Sequence, residues 1–460
     1  MKLDVNMHIS NIEFVLRECI RFKQLINTGK FKEISQDDSF HNLRASDKKN
    51  YICGRAAALR LELLTEEIGR RGGLSEKVGH DTLRKPLENL IIERFVKENR
   101  PLDTKQVDRL FSTVIKVAKV QCIQLTHFIP CHLMTSKDPS TIELGPVRFH
   151  NKSSFRRLLI EKLRRTTQQE AEPAIHSRML MSEAIKYFRH FQWVAEVTIP
   201  SADSATSAKL AEQAVISALD CLHLLLRAQF TDRMKVAGPA IRRDKRAGLT
   251  LLGTGELSPS NSWTAIQQVN FPNGWSSQLL DPEIMHFLKL FSIALEITVD
   301  PSLGRPLSRR FLDAAQWFGE ACRDTSPSTK IVKFVTSLER MVMTEEHNDI
   351  SRIVSERVAF FCADEDEDSN IWKERTLKIY NLRSRLVHGS MSPRTLEITR
   401  SLHICATISE RTILNCLFYF GEQALKVNKI SSHKLGGWFK DLIKLTEEQE
   451  PNSNNHEIAI

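Results

Sequence analysis

The sequence predicts a mainly α protein: a helical bundle in the last third, a helical N-terminal region, and a small α+β region between them. Three observations predict it. Apolar residues recur at three- and four-residue intervals through most of the chain, which is the period of a helix with one buried face. Glycine or proline follows many of these stretches, as it does where helices stop. Runs that read as strands are short and fall in the middle of the chain.

At 460 residues the chain is long enough for two or three domains, each with its own core. The boundaries expected are a helical region at 1–115, an α+β middle at 116–300, a bundle at 301–450 and a disordered polar tail at 451–460. A hydrophobic fraction of 41% and a charged fraction of 26% describe an ordinary soluble protein. No apolar run reaches the ~18 residues of a membrane helix, and MKLDVNMHIS lacks the apolar core of a signal peptide, so a cytoplasmic protein without membrane contact is expected. Its 9 cysteines include no CxxC pair, which argues against a disulfide framework or a zinc site and for reduced, buried thiols. His127, Cys131 and His132 lie close together, but no second cluster completes a ligand set. They read as packed side chains, and neither a metal nor a cofactor is expected. A net charge of +9 permits a polyanionic partner without requiring one.

In order, Ile12, Val15, Leu16, Cys19 and Ile20 mark a first helix over 11–27, and 55–68 and 87–96 repeat the pattern, with GRRGG at 69–73 as the break. A helix from Thr104 leads into VIKVAKVQCIQLTHFIP, whose β-branched residues place the start of the α+β region near 116. ELGPVRFHN reads as a strand entered through a glycine turn, and FQWVAEVTI at 191–199 alternates as a strand does. A Gln/Glu/Ala-rich linker at 168–174 precedes it. SADSATS then offers N-caps for LAEQAVISALDCLHLLL, a helix apolar on more than one side and therefore central, on which His223 reads as a core histidine. Residues 237–262 read as a loop, with GTG as turn chemistry, before a helix from Asp281 to Val299.

Two basic segments invite phosphate contact. In SFRRLLIEKLRR, at 154–165, Phe155, Leu158, Leu159 and Leu163 form one face, while Arg156, Arg157, Arg164 and Arg165 crowd the other. The loop at 242–246 carries Arg242 and Arg243 with Lys245 and Arg246. Either segment is a solvated face or an electrostatic contact with RNA or DNA.

The bundle has the cleanest periodicity. Leu307, Phe311, Ala315, Phe318 and Cys322 mark one helix; Ile331, Phe334, Val335, Leu338 and Val342 a second; Ile350, Val354, Val358 and Phe361 a third. A fourth ends in KIYNLRSRLVHG at 378–389, a long fifth covers about 395–425, and a sixth starts near Lys434. The acidic run at 364–368 suits the N-terminus of the fourth.

That fourth helix has two faces to bury. Trp372, Ile379, Leu382 and Leu386 form one stripe, whereas Leu377, Tyr380, Ser384 and Val387 gather on another, flanked by Arg383 and His388. Gly389 is the residue expected just past a helix end, and Pro393 blocks continuation. Arg383 and His388 stand about 140° apart around the axis, so one helix does not aim both at one phosphate. Two copies packed across Leu377, Tyr380 and Val387 do, and a homodimer with a composite site is therefore expected.

The R-x4-H form of KIYNLRSRLVHG resembles the motif of the HEPN family, and the tyrosine, the R-S pair and the ending L-V-H-G resemble its Apea-like branch of bacterial phage-defence proteins. WFGEA, SLERMV and SERVAFF fall where that branch has similar runs, so the resemblance covers about the last third of the chain. It implies a dimeric, metal-independent ribonuclease in which His388 and Arg383 act on RNA with Ser384 assisting, governed by an N-terminal part that senses a phage-derived trigger. Many nuclease members carry asparagine, aspartate or histidine where this chain has Ser384. Two other readings stand beside it. Arg383 is held by a carboxylate such as Glu339 or Glu356 while His388 caps the helix, or the bundle dimerises and binds nucleotide or RNA without turnover.

Overall fold

The computed structural model describes residues 2–28, 40–43, 51–169, 175–236, 243–251, 254, 257–265, 271, 274–363 and 368–448. The chain divides into two compact units, Met1–Leu125 with Ile199–Leu210, and Thr126–Thr198 with Ala211–Ile460. The fold is mainly α, with a small sheet region in the middle and a helical C-terminal part. No helix among the described residues is long and apolar enough to cross a membrane.

The first unit packs α1 (Lys2–Asn27), α2 (Arg55–Gly72), α3 (His80–Ile91) with the π-helical turn Ile92–Lys97, and α4 (Thr104–Gln121) around Ile12, Leu61, Ile91 and Phe111. Two features depart from the sequence reading. A ribbon of β1 (His41–Leu43) and β2 (Tyr51–Cys53) interrupts the helices, and at three residues a strand it is too short to show alternation. α4 continues to Gln121 instead of yielding near 116. Its stripe of Val107, Leu110, Phe111, Val114 and Ala118 is buried throughout, and this burial overrides the β preference of Val117 and Val120, which face out.

Mostly within the second unit, β3 (Ile123–His132), β4 (Thr141–Leu144), β5 (Val147–Asn151), β6 (Trp193–Ala202) and β7 (Lys235–Val236) form one sheet in the order β4-β5-β6-β3-β7. β4 and β5 meet at Gly145, whose φ of 57° suits only glycine at little cost, and a Cβ there would lie 2.7 Å from the Ser292 carbonyl. Helices α5 (Lys152–Gln169), α6 (Ile175–Phe188), α7 (Ser204–Leu225) and α8 (Ala228–Thr231) accompany the sheet. The inner half of α7 is buried on all sides, as its composition demands. His223 lies within it, its Nδ1 2.7 Å from Thr231 Oγ1.

The segment read as a loop at 237–262 is instead largely a hairpin, β8 (Arg243–Leu251) with β9 (Leu257–Ala265), paired from Arg243↔Ala265 to Leu251↔Leu257. Leu249 and Leu251 are exposed, so the stretch of β8 around them buries neither residue. Among the side chains described in the ribbon, 247–251 and 258–260, none is buried, so these stretches carry no alternating pattern to read, and Pro259 fits because a two-stranded ribbon has free edges.

From α9 (Pro282–Val299) onward the helices follow the sequence closely: α10 (Pro306–Arg323), α11 (Pro327–Val342), α12 (Ile350–Cys362), α13 (Ser369–Val387), α14 (Leu396–Leu425) and α15 (Ser432–Glu448). Each start has a local cause. Asp281 accepts from the Glu283 amide, and Ser326 caps α11 ahead of Pro327. Asp368 accepts from the Asn370 amide, while the rest of the acidic run, 364–367, lies outside the described residues. So do most of the 168–174 linker and the tail at 451–460.

Candidate functional site

α13 presents the motif, and its end is built as the sequence implies. Gly389 takes φ 72°, its amide donates to Leu386 O at 3.3 Å, and the Ser390 amide donates to Arg385 O at 3.0 Å. This pair of bonds satisfies the last carbonyls of the helix and fixes where His388 leaves it. Trp372, Ile379 and Leu382 are buried against the bundle, as expected, whereas Leu386 of the same stripe is only half-buried at the helix end. On the other side Leu377 is 37% and Val387 53% exposed, and Ser384 is half-buried.

Glu339, on α11, organises this surface. Its carboxylate accepts from Tyr380 Oη at 2.5 Å and from Arg383 Nη2 at 3.2 Å. One carboxylate can hold both because positions three apart on a helix share a side. Burial, then Glu339, pushes the Tyr380 hydroxyl well above the ordinary tyrosine range, so it stays a donor. Arg383 is 24% exposed, its guanidinium lies 5.9 Å from the centre of the Tyr380 ring, and its Nε is buried without a protein acceptor. A guanidinium carries five N–H donors in a rigid fork; Glu339 fixes the fork and engages one nitrogen of it. His388 is exposed and its imidazole has no ion-pair partner among the described residues. The arginine is thus clasped at the flank of the helix and the histidine stands in solvent at its end.

Of the two carboxylates considered for Arg383, Glu339 makes the contact. Glu356 bonds Arg352 at 3.0 Å and lies 3.5 Å from Lys373. No separation of four residues or fewer links Glu339 to the motif, so only the packing of α11 on α13 reveals the pair.

The basic segments are placed separately. Arg156, Arg157 and Arg164 are exposed on α5, anchored by Phe155 stacked on Phe188 with centroids 5.3 Å apart. The side chain of Arg165 lies outside the described residues, as do Arg242 and the side chain of Arg243, which begins β8. His127, Cys131 and His132 lie along β3, and burial pushes both imidazoles below their ordinary value. No protein-family model, curated protein or solved structure matches the chain.

Proposed function

We propose that the protein is a metal-independent RNA endonuclease of the HEPN type, acting in bacterial anti-phage defence, with the chain ahead of the bundle as sensor and regulator of a phage-derived trigger. The observation that carries this reading is the end of α13. An exposed His388 sits at a glycine-fixed helix terminus, and the Arg383 guanidinium is oriented by Glu339 with a donor still unmatched.

In this chemistry a base removes the proton of a ribose 2′-OH, the 2′-oxygen attacks the adjacent phosphorus, and the 5′-oxygen leaves as it takes up a proton. Histidine suits the proton transfers because it titrates near neutral pH, and arginine suits the charged phosphorane because it stays protonated and forked. Ser384, one turn before His388, orients imidazole or phosphate. The half-exposed face of Leu377, Tyr380 and Val387 takes a second copy, so that Arg383 of one protomer works with His388 of the other.

A second reading has its own support. The Glu339 pair already engages Arg383 within the chain, which favours a non-catalytic bundle that dimerises and binds nucleotide or RNA. Expression in bacteria separates the two: under the nuclease reading the wild-type protein arrests growth and Arg383→Ala does not. Co-expressing Arg383→Ala with His388→Ala then restores part of the toxicity if the site is shared between protomers. No arrest by the triggered wild-type protein leaves the binding module.

A further inference from the structure

In the first unit, α4 and the chain from the π-helical turn to Arg100 enclose an open groove of ≈ 800 Å³. Because Val107, Leu110, Phe111, Val114 and Ala118 fix the inner face of α4 in the core, the helix must present its opposite face to this groove. That face carries Lys105, Arg109 and Lys116, with Ser112 between them. The three cations extend along about 16 Å of helix at ~1.5 Å per residue. Arg94 and Arg100 line it from the other side, with Thr104, Asp108 and Thr113 also at its walls, and the Arg100 amide donates to Arg94 O at 3.0 Å.

The charge here is not cancelled. Asp108 is the one carboxylate lining the groove, and it lies 3.7 Å from Arg71. Arg100 pairs with Glu98 at 2.5 Å, whereas Lys105, Arg109 and Lys116 have no ion-pair partner among the described residues. Arg94 donates through Nη2 to Thr113 Oγ1 at 2.9 Å, yet its Nη1 is buried with no protein acceptor. Burial pushes its guanidinium below the ordinary value, with Arg100 and Arg109 adding to the shift and Glu98 opposing it, and an anion in the groove offsets that penalty.

We propose that this groove binds the sugar-phosphate backbone of a single-stranded nucleic acid, giving the first unit a nucleic-acid site of its own, independent of Arg383 and His388. A row of cations this long matches several consecutive phosphates, while a lone phosphate leaves its ends unused. The lining holds no apolar side chain to enter a membrane and no aromatic ring to read or stack a base, so recognition is electrostatic and indifferent to sequence.

The test uses the full chain and a fluorescein-labelled single-stranded DNA of about 20 nucleotides, which lacks the 2′-OH and so reports binding whether or not the protein cleaves RNA. Binding is read by anisotropy across a salt series. Each lost phosphate contact lowers the salt slope by about 0.7, so Lys105→Ala/Arg109→Ala/Lys116→Ala should weaken binding by about 100-fold near 0.1 M salt and flatten the slope by about 2. Lys116→Glu alone, a single exposed change that keeps the fold, should cost about tenfold. The proposal is overturned if the wild type does not bind the DNA, or if the triple variant and Lys116→Glu keep wild-type affinity and slope. It is equally overturned if these variants lose binding only to vesicles containing phosphatidylserine.

Discussion

Two arginine–glutamate pairs in the same bundle are held in opposite ways. Arg357 on α12 is 3% exposed, donates to Val342 O and Glu346 Oε1 at 2.5 Å each, and lies over the Phe439 ring at 4.7 Å. Arg383 on α13 is 24% exposed, meets Glu339 at 3.2 Å, and leaves a nitrogen without a protein acceptor. The first arginine is consumed by the fold: it ties the end of α11 to α12 and α15. The second is oriented but not saturated, which is what a phosphate-binding group requires. A basic residue in an ion pair is therefore not by that fact structural; what separates the cases is how much of the fork is engaged and whether solvent reaches it.

The comparison predicts its largest contrast in stability. Arg357→Ala removes a guanidinium that is 3% exposed, leaves Glu346 with its Thr344 bonds alone, and should cost about 3 kcal/mol in urea unfolding. Arg383→Ala removes a longer, part-exposed pair and should cost about 1 kcal/mol or less. Equal losses would erase the distinction.

Acid sharpens it. Burial opposes ionisation of Glu346, but the bonds from Arg357 and Thr344 prevail and bring its pKa from 4.5 to about 2. A carboxylate lowered on folding stabilises the fold above its unfolded pKa and loses that contribution as pH falls through the folded one. The wild type should therefore exceed Glu346→Gln by up to about 3 kcal/mol near neutral pH, with the gap closing between pH 4.5 and about 2. A gap that does not change over this window assigns the stabilisation to packing.

A smaller effect is expected at the outer face of α13. Tyr380→Glu puts a second carboxylate beside Glu339 on the face proposed for a second copy and should give monomers in light scattering, with the bundle still folded. A dimer that persists moves the interface elsewhere.

Much of this architecture is legible in the chain. The helices of the bundle declare themselves because apolar period and end signals agree, as at Asp281, Pro327, Asp368 and Gly389. The β8–β9 ribbon stays hidden since it lacks the alternation that burial imposes. In the site, Arg383 and His388 stand out by spacing, whereas the choice of Glu339 over Glu356 depends on which helix packs against α13. The groove on α4 is legible in the spacing of Lys105, Arg109 and Lys116, but one cation per turn or two is less conspicuous than the contiguous runs at 156–165 and 242–246.

The central claim is that Arg383 is positioned for a phosphate. RNA cleavage by the purified protein in EDTA, with the proposed trigger supplied by phage infection of the expressing cells before purification, tests it most directly. The account predicts cleavage by the wild type, a loss of roughly 10² to 10⁴-fold in His388→Ala, and failure of Arg383→Lys, which keeps the charge and loses the fork, all at an unchanged melting temperature. Cleavage that Arg383→Lys retains, or no metal-free cleavage together with a marked loss of stability in Arg383→Lys, would contradict it.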